Sequence, residues 1–265
     1  MPVATVNGVN LAYRSAGQGP PLVLLHGFSS SSHAWDPVLG PLAARSKVFA
    51  YDHRGHGDSD KPRGPYRIQD FSDDLLALLN FLGLAQVDLM GHSMGGRTAL
   101  LFALRHGDRL GRLMLVGASG AAPQGEARAR FDTLKRVAVE QGMEAVFEHD
   151  LVKGLLPPVF SQPGPEREAF RARFLRNTPE GYCGAADAIL TMPDLTGRLG
   201  EIGAPTWVCV GEQDAGPKAF SDLCLKGIPH CARAVIPGCG HHPMQENPKA
   251  FLAALNAFLD KVPVS

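Results

Sequence analysis

Short apolar runs that alternate with helical stretches are the feature that most restricts the fold of this chain. The run PLVLLHGF at residues 21–28 is continuous and apolar and contains a glycine near its end, which is typical of a buried parallel strand. Segment 71–84 has apolar residues at helical spacing, and 94–106 is predicted as a second helix. Strands alternating with helices predict a mostly parallel sheet covered on both faces. The predicted strands of this type are 21–28, the run ending before Asp52, 86–91, 110–119, 205–211 and 232–238.

The two ends of the chain add a hairpin and a final helix. Residues 3–14 alternate around Asn7-Gly8, a dipeptide typical of a two-residue hairpin turn, and this hairpin brings the predicted sheet to eight strands. In the first of the two helices we predict Ser72 as the N-cap and Gly83 as the stop signal. The closing segment PKAFLAALNAFLDK is amphipathic and predicts a C-terminal helix.

One block interrupts the alternation of strands and helices. Residues 121–198 contain no convincing strand, but they contain helical stretches with arginine and glutamate, several aromatic residues, and prolines at 157, 158, 163 and 165. We interpret this block as a helical cap insertion that lies over the carboxyl ends of the strands. The prediction is therefore a core in two parts, 1–120 and 199–265, with the insertion between them.

Composition excludes several classes of partner. The 265 residues include 26 basic and 26 acidic side chains, so no net charge attracts nucleic acid or anionic lipid. No apolar run approaches the roughly 18 residues of a membrane span, and the first residues lack the pattern of an export signal. An odd number of cysteines without a Cys-x-x-Cys motif favours reduced thiols in a cytoplasmic protein, although a Cys224–Cys231 bridge stays open. The five cysteines are Cys183, Cys209, Cys224, Cys231 and Cys239.

The stretch VDLMGHSMGGRT, residues 87–98, holds a serine between closely spaced glycines. Gly91 and Gly95 lie two residues before and two residues after Ser93, directly after a predicted strand. Gly-x-Ser-x-Gly is what a sharp strand-to-helix turn requires when its central residue is strained and its neighbours approach closely. Such a turn exposes the serine hydroxyl. The alternative is a serine that merely caps the following helix.

A serine nucleophile needs a base, and the base needs a group that orients it. Two later strand ends supply candidates, because the carboxyl ends of parallel strands meet at one edge of the sheet. Asp214 follows strand 205–211, with Glu212 as a rival acid. His241 and its neighbour His242 follow strand 232–238. The resulting chain order, serine, aspartate and histidine, is the order expected for this type of turn.

The motifs LLHGF, DHRGHGDS, GHSMGG, GEQD and GCGHHPMQENP together resemble the α/β-hydrolase family over nearly the whole chain. The resemblance implies the α/β-hydrolase fold and assigns the nucleophile to Ser93, the acid to Asp214 and the base to His241. It also places the backbone N–H groups of Phe28 and Met94 in an oxyanion hole. The pattern Gly-His-x-x-x-x-Glu-x-Pro favours His241 over His242.

The remaining polar residues are interpreted as structural. The segment DHRGHGDSD contains two histidines and three aspartates, but a tight loop with internal hydrogen bonds is favoured over a metal site. His26 is expected to shape a loop, His92 to give packing support below the site, and Cys239 to be a buried thiol. We predict no metal and no cofactor.

The reaction follows from the residue at the turn. Relatives that open epoxides or displace halide have an aspartate there, whereas this chain has serine, which favours hydrolysis of an ester, thioester or lactone through an acyl-enzyme. The segment 178–206 resembles 3-oxoadipate enol-lactonases and cofactor-free haloperoxidase-like esterases. The sequence therefore predicts a carboxylesterase or lactonase with a small-molecule substrate and an undetermined oligomeric state.

Two other functions stay open. SMGGR, residues 93–97, also resembles menaquinone-pathway synthases, so a metabolic enzyme acting on a carboxylated substrate is the first alternative; enol-lactone hydrolysis, carbon–carbon bond hydrolysis and pyruvate elimination fall in this class. A non-catalytic small-molecule receptor on a hydrolase scaffold is the second. The cations considered as carboxylate binders are Arg97, Arg128, Arg130, Lys135, Arg171, Arg173 and Arg176.

Overall fold

The computed structural model describes residues 1–153, 156–157, 160 and 162–262. Its centre is an eight-stranded sheet with the order β1-β2-β4-β3-β5-β6-β7-β8. The pairs β1–β2 and β2–β4 are antiparallel and all others are parallel, so the predicted mostly parallel eight-stranded sheet is confirmed. The strands are β1 (Val3–Val6), β2 (Val9–Ala16), β3 (Pro21–Leu25), β4 (Lys47–Tyr51), β5 (Val87–His92), β6 (Leu110–Val116), β7 (Thr206–Gly211) and β8 (Cys231–Ile236).

Helices cover both faces of this sheet. Short 3₁₀ helices lie at Ser32–Trp35, Gly107–Arg109 and Thr196–Glu201. The α-helices among the described residues are α1 (Asp36–Ala43), α2 (Ile68–Phe81), α3 (Met94–Arg105), α4 (Gly125–Glu148), α5 (Asp150–Lys153), α6 (Pro165–Phe174), α7 (Pro179–Leu190), α8 (Ala215–Gly227), α9 (Pro243–Glu246) and α10 (Pro248–Leu259).

The central strands are apolar throughout because both of their faces are buried. In β3, Val23 and Leu25 pack into the core beneath α2 and α3, whereas Leu22 and Leu24 pack into a second core with α1 and α10. Successive side chains of a strand point to opposite faces, so a strand between two helical layers needs apolar residues at every position.

The predicted hairpin is confirmed. Asn7 and Gly8 have φ angles of 47° and 74°, and Val6 pairs directly with Val9 across the turn. Positive φ at both central residues is the conformation whose twist matches that of the flanking strands.

The N-terminus of α2 differs from the sequence prediction. Ser72 is not the N-cap: the helix begins at Ile68, and Ser72 is buried inside it. Asp70 stabilises the first turn instead, because its Oδ2 accepts a hydrogen bond of 2.7 Å from the N–H of Arg67. The predicted stop at Gly83 is confirmed by its φ of 68° and by the bond from the N–H of Leu84 to the carbonyl of Leu79, 2.9 Å.

Three of the predicted strands end earlier than the sequence indicated, and one of them is β8, which ends at Ile236 rather than at residue 238. β3 ends at Leu25 rather than at residue 28, and β6 ends at Val116 rather than at residue 119. The next residue after β6, Gly117, has a φ of 54°, which turns the chain out of the sheet. The apolar residues beyond each strand therefore belong to loops at the carboxyl edge of the sheet.

The helical insertion contains α4 to α7, and no strand occurs in the described part of residues 121–198. α4 is interrupted at Gly142, whose φ is 84°. The insertion has an apolar core of its own, which includes Phe147, Phe174 and Tyr182, and a second cluster joins Ile189 of α7 to core residues. The division at residues 120 and 198 stays a prediction.

Two further expectations concern the cysteines and membranes. The five cysteines are free thiols, so Cys224 and Cys231 do not form a disulfide bond. None of the helices within the described ranges combines the length and the apolar character needed to cross a membrane.

Candidate active site

Ser93 lies at the sharp turn between β5 and α3. Its φ and ψ are 52° and −111°, an unusual backbone conformation for a residue other than glycine. Its N–H donates to the carbonyl of Val116 on the neighbouring strand, 2.8 Å, which fixes the turn. The Ser93 side chain does not cap α3. The hydroxyl is therefore available for another partner.

The two glycines of the motif are required by close approach of the backbone. A Cβ atom on Gly91 would lie 2.3 Å from the carbonyl oxygen of Gly95, and a Cβ on Gly95 would lie 2.4 Å from the carbonyl oxygen of Leu25. Contacts this short are not tolerated by real side chains. The first turn of α3 consequently packs directly on β5 and β3, and Ser93 stands at the carboxyl edge of the sheet.

The structure brings Ser93, His241 and Asp214 together in one hydrogen-bonded series. The Ser93 hydroxyl donates to Nε2 of His241 at 2.9 Å, and Nδ1 of His241 donates to Oδ2 of Asp214 at 2.7 Å. The His241 side chain is 27% exposed and that of Asp214 is 14% exposed, so the series is accessible from one side. This geometry allows a proton to pass from the serine to the imidazole.

The rival residues have other partners. Glu212 accepts a hydrogen bond from the N–H of Gly238, 3.0 Å. Glu246 accepts bonds from the N–H groups of Gly240, 2.7 Å, and His242, 2.8 Å, and so holds both neighbours of His241 in the loop. The glutamate of the sequence pattern therefore fixes the backbone around His241.

His92 supports this loop from below, as predicted from the sequence. It is 1% exposed, and its Nε2 donates to the backbone carbonyl of His241 at 2.8 Å. Burial lowers the pKa of His92 well below its ordinary value, and the nearby His242 and His241 lower it further. The ring therefore stays neutral and acts through packing and one hydrogen bond.

The backbone N–H groups of Phe28 and Met94 belong to segments close to Ser93: Met94 follows it directly, and a Cβ on Gly27, the residue before Phe28, would lie 3.3 Å from the Ser93 Cβ. Neither N–H has an acceptor among the described residues. Met94 is the first residue of α3, where backbone N–H groups have no partner within the helix. The peptide before Phe28 is held by His26, whose Nδ1 donates to the carbonyl of Gly27 at 2.7 Å. His26 thus shapes the loop, as expected from the sequence.

The segment DHRGHGDSD forms a tight loop. Asp52 accepts hydrogen bonds from the N–H groups of Ser32, 2.6 Å, and Asp58, 2.8 Å, and its carbonyl accepts one from the Ser59 hydroxyl, 2.5 Å. Over the parts of the chain that the structure describes, no cluster of three metal-ligating side chains occurs. Asp52 therefore holds the loop together, whereas Asp60 accepts a hydrogen bond from the N–H of Asn10 on β2 and Asp58 forms an ion pair with Arg176.

Aromatic side chains from the insertion contact Phe28. The ring centroid of Phe28 lies 5.4 Å from that of Phe131 on α4 and 4.5 Å from that of Tyr182 on α7. Met94 belongs to an adjoining apolar cluster that includes Ile189. The surroundings of the two free N–H groups are therefore apolar on the side of the insertion.

Arg97 differs from the other candidate cations. Several of those have acidic partners: Arg171 lies 2.5 Å from Glu144, and Lys135 is paired with Asp187. The largely buried Arg97 guanidinium instead donates to the carbonyl of Ala121 and lies 2.7 Å from Sδ of Met192. No carboxylate of the described residues forms an ion pair with it, and burial lowers its pKa to about 10.

A sequence model described as the alpha/beta hydrolase fold matches residues 20–248. The chain belongs to this family. This α/β-hydrolase is 29% identical over 261 residues to 3-oxoadipate enol-lactonase 2 of Acinetobacter baylyi, and the alignment covers 97% of this chain and 96% of the relative.

Solved structures of other α/β-hydrolases have the same fold. The enol-lactonase from Burkholderia xenovorans LB400 superposes with a TM-score of 0.87 at 29% identity, covering 98% of this chain and 100% of the other. A thermophilic esterase from Thermogutta terrifontis, solved with malate bound, gives a TM-score of 0.84 at 29% identity, with 98% of both chains covered. The chain is thus similar to hydrolases of esters and lactones.

Sequence reasoning missed two residues next to the site of this α/β-hydrolase. His56 accepts a hydrogen bond from the N–H of Ser29, 3.2 Å, and Asn177 donates one to the carbonyl of Ser29, 3.2 Å. Asn177 is separated from Ser29 by 148 residues, and no local motif marks it. The contact depends on how the insertion packs on the core.

Proposed function

We propose that this α/β-hydrolase is a serine hydrolase that cleaves a small carboxylic ester or lactone through an acyl-enzyme. The observation that carries the proposal is the series Ser93–His241–Asp214, with hydrogen bonds of 2.9 and 2.7 Å. Asp214 accepts a hydrogen bond from the protonated Nδ1 of His241, so the lone pair of Nε2 faces the Ser93 hydroxyl. A serine beside a base oriented in this way is an activated nucleophile.

In the proposed first half-reaction, Ser93 Oγ attacks the carbonyl carbon while His241 takes its proton. The oxygen of the former carbonyl becomes negative and is stabilised by the N–H groups of Met94 and Phe28, with the N-terminus of α3 adding partial positive charge. When the tetrahedral intermediate collapses, His241 returns the proton to the leaving oxygen. An alcohol departs, or a lactone ring opens, and the acyl group stays on Ser93.

The second half-reaction repeats these steps with water. His241 takes a proton from a water molecule, and the hydroxide attacks the acyl carbonyl within the same pair of N–H donors. Collapse of the intermediate breaks the bond to Ser93 Oγ, which recovers its proton from His241. The products are the free carboxylic acid and the resting enzyme. All of the proton transfers use the side chains named above and water.

The apolar surroundings support a substrate with an apolar portion. Phe28, Phe131 and Tyr182 lie together beside the proposed oxyanion donors. The similar enol-lactonases and esterase act on lactones and esters, as their names state. We therefore propose a small ester or lactone as the substrate class.

A fluorophosphonate label tests the proposed nucleophile. The probe should react with the wild-type protein, and peptide mapping should place the modification on Ser93. Esters and lactones that are substrates should compete with labelling, and Ser93→Ala should neither be labelled nor hydrolyse p-nitrophenyl acetate. A label on another residue, or undiminished hydrolysis in Ser93→Ala, would overturn the proposal.

Arg97 favours one second candidate, an enzyme that acts on a carboxylated substrate. A buried guanidinium without an acidic partner among the described residues is costly unless an anion joins it during the working cycle. The test compares a neutral ester with a monoester of a dicarboxylic acid. If Arg97→Met lowers kcat/KM for the monoester more than about tenfold and leaves the neutral ester unchanged, the carboxylated substrate is favoured. Equal effects on both esters argue against it.

We further propose a cytoplasmic location, and this rests on cysteine usage. The five cysteines are free thiols, and reduced thiols are typical of the cytoplasm. Fractionation of the native host, with thiol labelling before cell lysis, would test the location.

A further inference from the structure

Ser29 follows the proposed oxyanion donor Phe28 and has an unfavourable backbone conformation. Its φ is 55°, in the left-handed region that glycine adopts more readily than serine. A residue stays in such a conformation only when its surroundings hold it there. The direction in which the chain leaves Phe28 depends on this residue.

The core holds Ser29 through its N–H group. Nε2 of His56 accepts a hydrogen bond of 3.2 Å from this N–H group, while Nδ1 of the same ring donates one of 3.0 Å to the carbonyl of Arg54. Since a carbonyl can only accept, the proton lies on Nδ1 and leaves Nε2 free as the acceptor. Burial is the main cause that lowers the pKa of His56 to about 3, so the ring keeps this acceptor at neutral pH.

The insertion holds Ser29 through its carbonyl group. Asn177, which lies between α6 and α7 and is 4% exposed, donates through Nδ2 to the carbonyls of Ser29, 3.2 Å, and Phe174, 2.8 Å. One side chain amide thus joins the end of α6 to the core loop. The neighbouring Arg176 forms an exposed ion pair with Asp58 of the core.

We propose that Asn177 is a positioning residue for the oxyanion hole, which it controls from the insertion through Ser29. The inference rests on the proposed function of the same site. Hydrogen bonds to the N–H and to the carbonyl of Ser29 fix the two peptide groups that flank it, and so fix the exit of the chain from Phe28. The Phe28 N–H then points to where the oxyanion forms, and the position of the insertion is coupled to the rate of the chemical steps.

Two variants of similar size remove the donor. Asn177→Leu and Asn177→Asp both lack the amide N–H, and we expect kcat to fall at least about fivefold but less than the roughly 100-fold or more lost with an oxyanion donor itself. KM should stay within about twofold, because a donor that acts on the transition state does not change ground-state binding. The affinity of a trifluoromethyl ketone, whose hemiketal oxyanion occupies the same hole, should fall by the same factor as kcat/KM.

Arg176→Gln is the matched control. It removes the adjacent ion pair between insertion and core but does not touch Ser29, and an exposed pair contributes little to stability. We expect kcat within about twofold of wild type. His56→Phe removes the other bond to Ser29, so its effect on kcat should combine non-additively with that of Asn177→Leu.

Hydrogen exchange distinguishes failure of this inference from failure of the proposed function. The amide hydrogens of the peptide containing residues 26–31 should exchange faster in Asn177→Leu and in His56→Phe than in wild type. Their exchange rate in Arg176→Gln should equal that of wild type. If the wild type is active and both Asn177 variants fold and have a normal kcat, the inference is overturned. A change in KM alone also overturns it. If the Asn177 variants do not fold, His56→Phe decides, and normal kcat there overturns the inference as well. A wild type that neither hydrolyses esters nor reacts with the fluorophosphonate overturns the proposed function, whatever the exchange pattern.

Discussion

Ser93 carries the proposed chemistry because its backbone conformation makes its hydroxyl unavailable to its own helix. The residue has a φ of 52°, and the hydroxyl donates to His241 rather than capping α3. Two other residues near the site hold the backbone around His241. Glu246 accepts hydrogen bonds from the N–H groups on either side of it, and His92 donates one to its carbonyl. At this scale, the proposed function depends on a few hydrogen bonds around His241.

Substitutions in the series should separate its members. Ser93→Ala should abolish nearly all turnover, and Asp214→Asn should lower kcat by about 10³- to 10⁴-fold, because an amide in place of the carboxylate stabilises the wrong tautomer of His241. The measurement is kcat/KM with p-nitrophenyl acetate, with circular dichroism to check folding.

Glu212→Gln is the control for Asp214→Asn. It alters the nearby rival acid, which contacts Gly238 and not His241, and should change kcat less than about twofold. A loss in Glu212→Gln equal to that in Asp214→Asn would contradict the assignment of the acid.

His53 allows a test of how much unsatisfied buried nitrogens reduce the stability of the fold. The side chain is 1% exposed, lies between the rings of Tyr51, His26 and Phe71, and its two ring nitrogens have no hydrogen-bond partner within the described ranges. His53→Leu is close to histidine in volume and removes the unsatisfied nitrogens, so the free energy of unfolding should rise by about 1–3 kcal/mol. Urea unfolding at neutral pH measures it, and a decrease would show that the nitrogens have a stabilising role.

At the scale of elements, the site depends on how tightly α3 packs at the carboxyl edge of the sheet. The helix follows β5 without a loop, and its first turn touches the backbone of β3. The sequence predicted the order and type of these elements well, because apolar residues form short continuous runs in the buried strands and recur every three to four residues in the helices. It predicted their ends less well, as Ser72 shows, because the acidic Asp70 and the packing of α2 decide where the helix begins.

Gly95→Ala tests this packing. The new methyl group would lie 2.4 Å from the carbonyl oxygen of Leu25, so α3 must shift, and we expect a loss of about 1–3 kcal/mol or more in the free energy of unfolding together with lower activity. Gly107→Ala is the control, because a Cβ there meets nothing within 4 Å. Thermal unfolding of both variants measures the difference, and equal melting temperatures would contradict the packing account.

At the scale of the whole molecule, the core contains an unusual group of buried neutral histidines. His26, His53, His56 and His92 are each at most 1% exposed, and burial lowers the pKa of each. Three of them lie in loops at the carboxyl edge of the sheet, and His92 is the last residue of β5 at the same edge. Their protonation therefore opposes folding in the region that contains the site.

This arrangement predicts a loss of stability in acid. His56 has a folded-state pKa of about 3 and an unfolded value near 6.5, so between these limits the unfolded chain binds a proton that the folded chain does not. The stabilisation is complete above pH 6.5 and is lost as the pH falls toward 3, by about 1.4 kcal/mol per pH unit for this one residue. Urea unfolding from pH 7 to pH 4 should show a shallower dependence in His56→Phe than in wild type. His230→Gln, at an exposed position, should match wild type, and equal slopes in His56→Phe and wild type would contradict the prediction.

The sequence by itself determined the sheet, its helices and the meeting of Ser93, Asp214 and His241. Each of these residues follows a strand, and the carboxyl ends of parallel strands in one sheet necessarily share an edge. Only the tertiary structure decided which residues hold the rest of the site. Asn177 reaches Ser29, and Arg97 is enclosed between Ala121 and Met192, because the insertion packs on the core in one orientation. That orientation arises from side-chain contacts between distant segments, and the local spacing of residues in a sequence carries no record of such contacts.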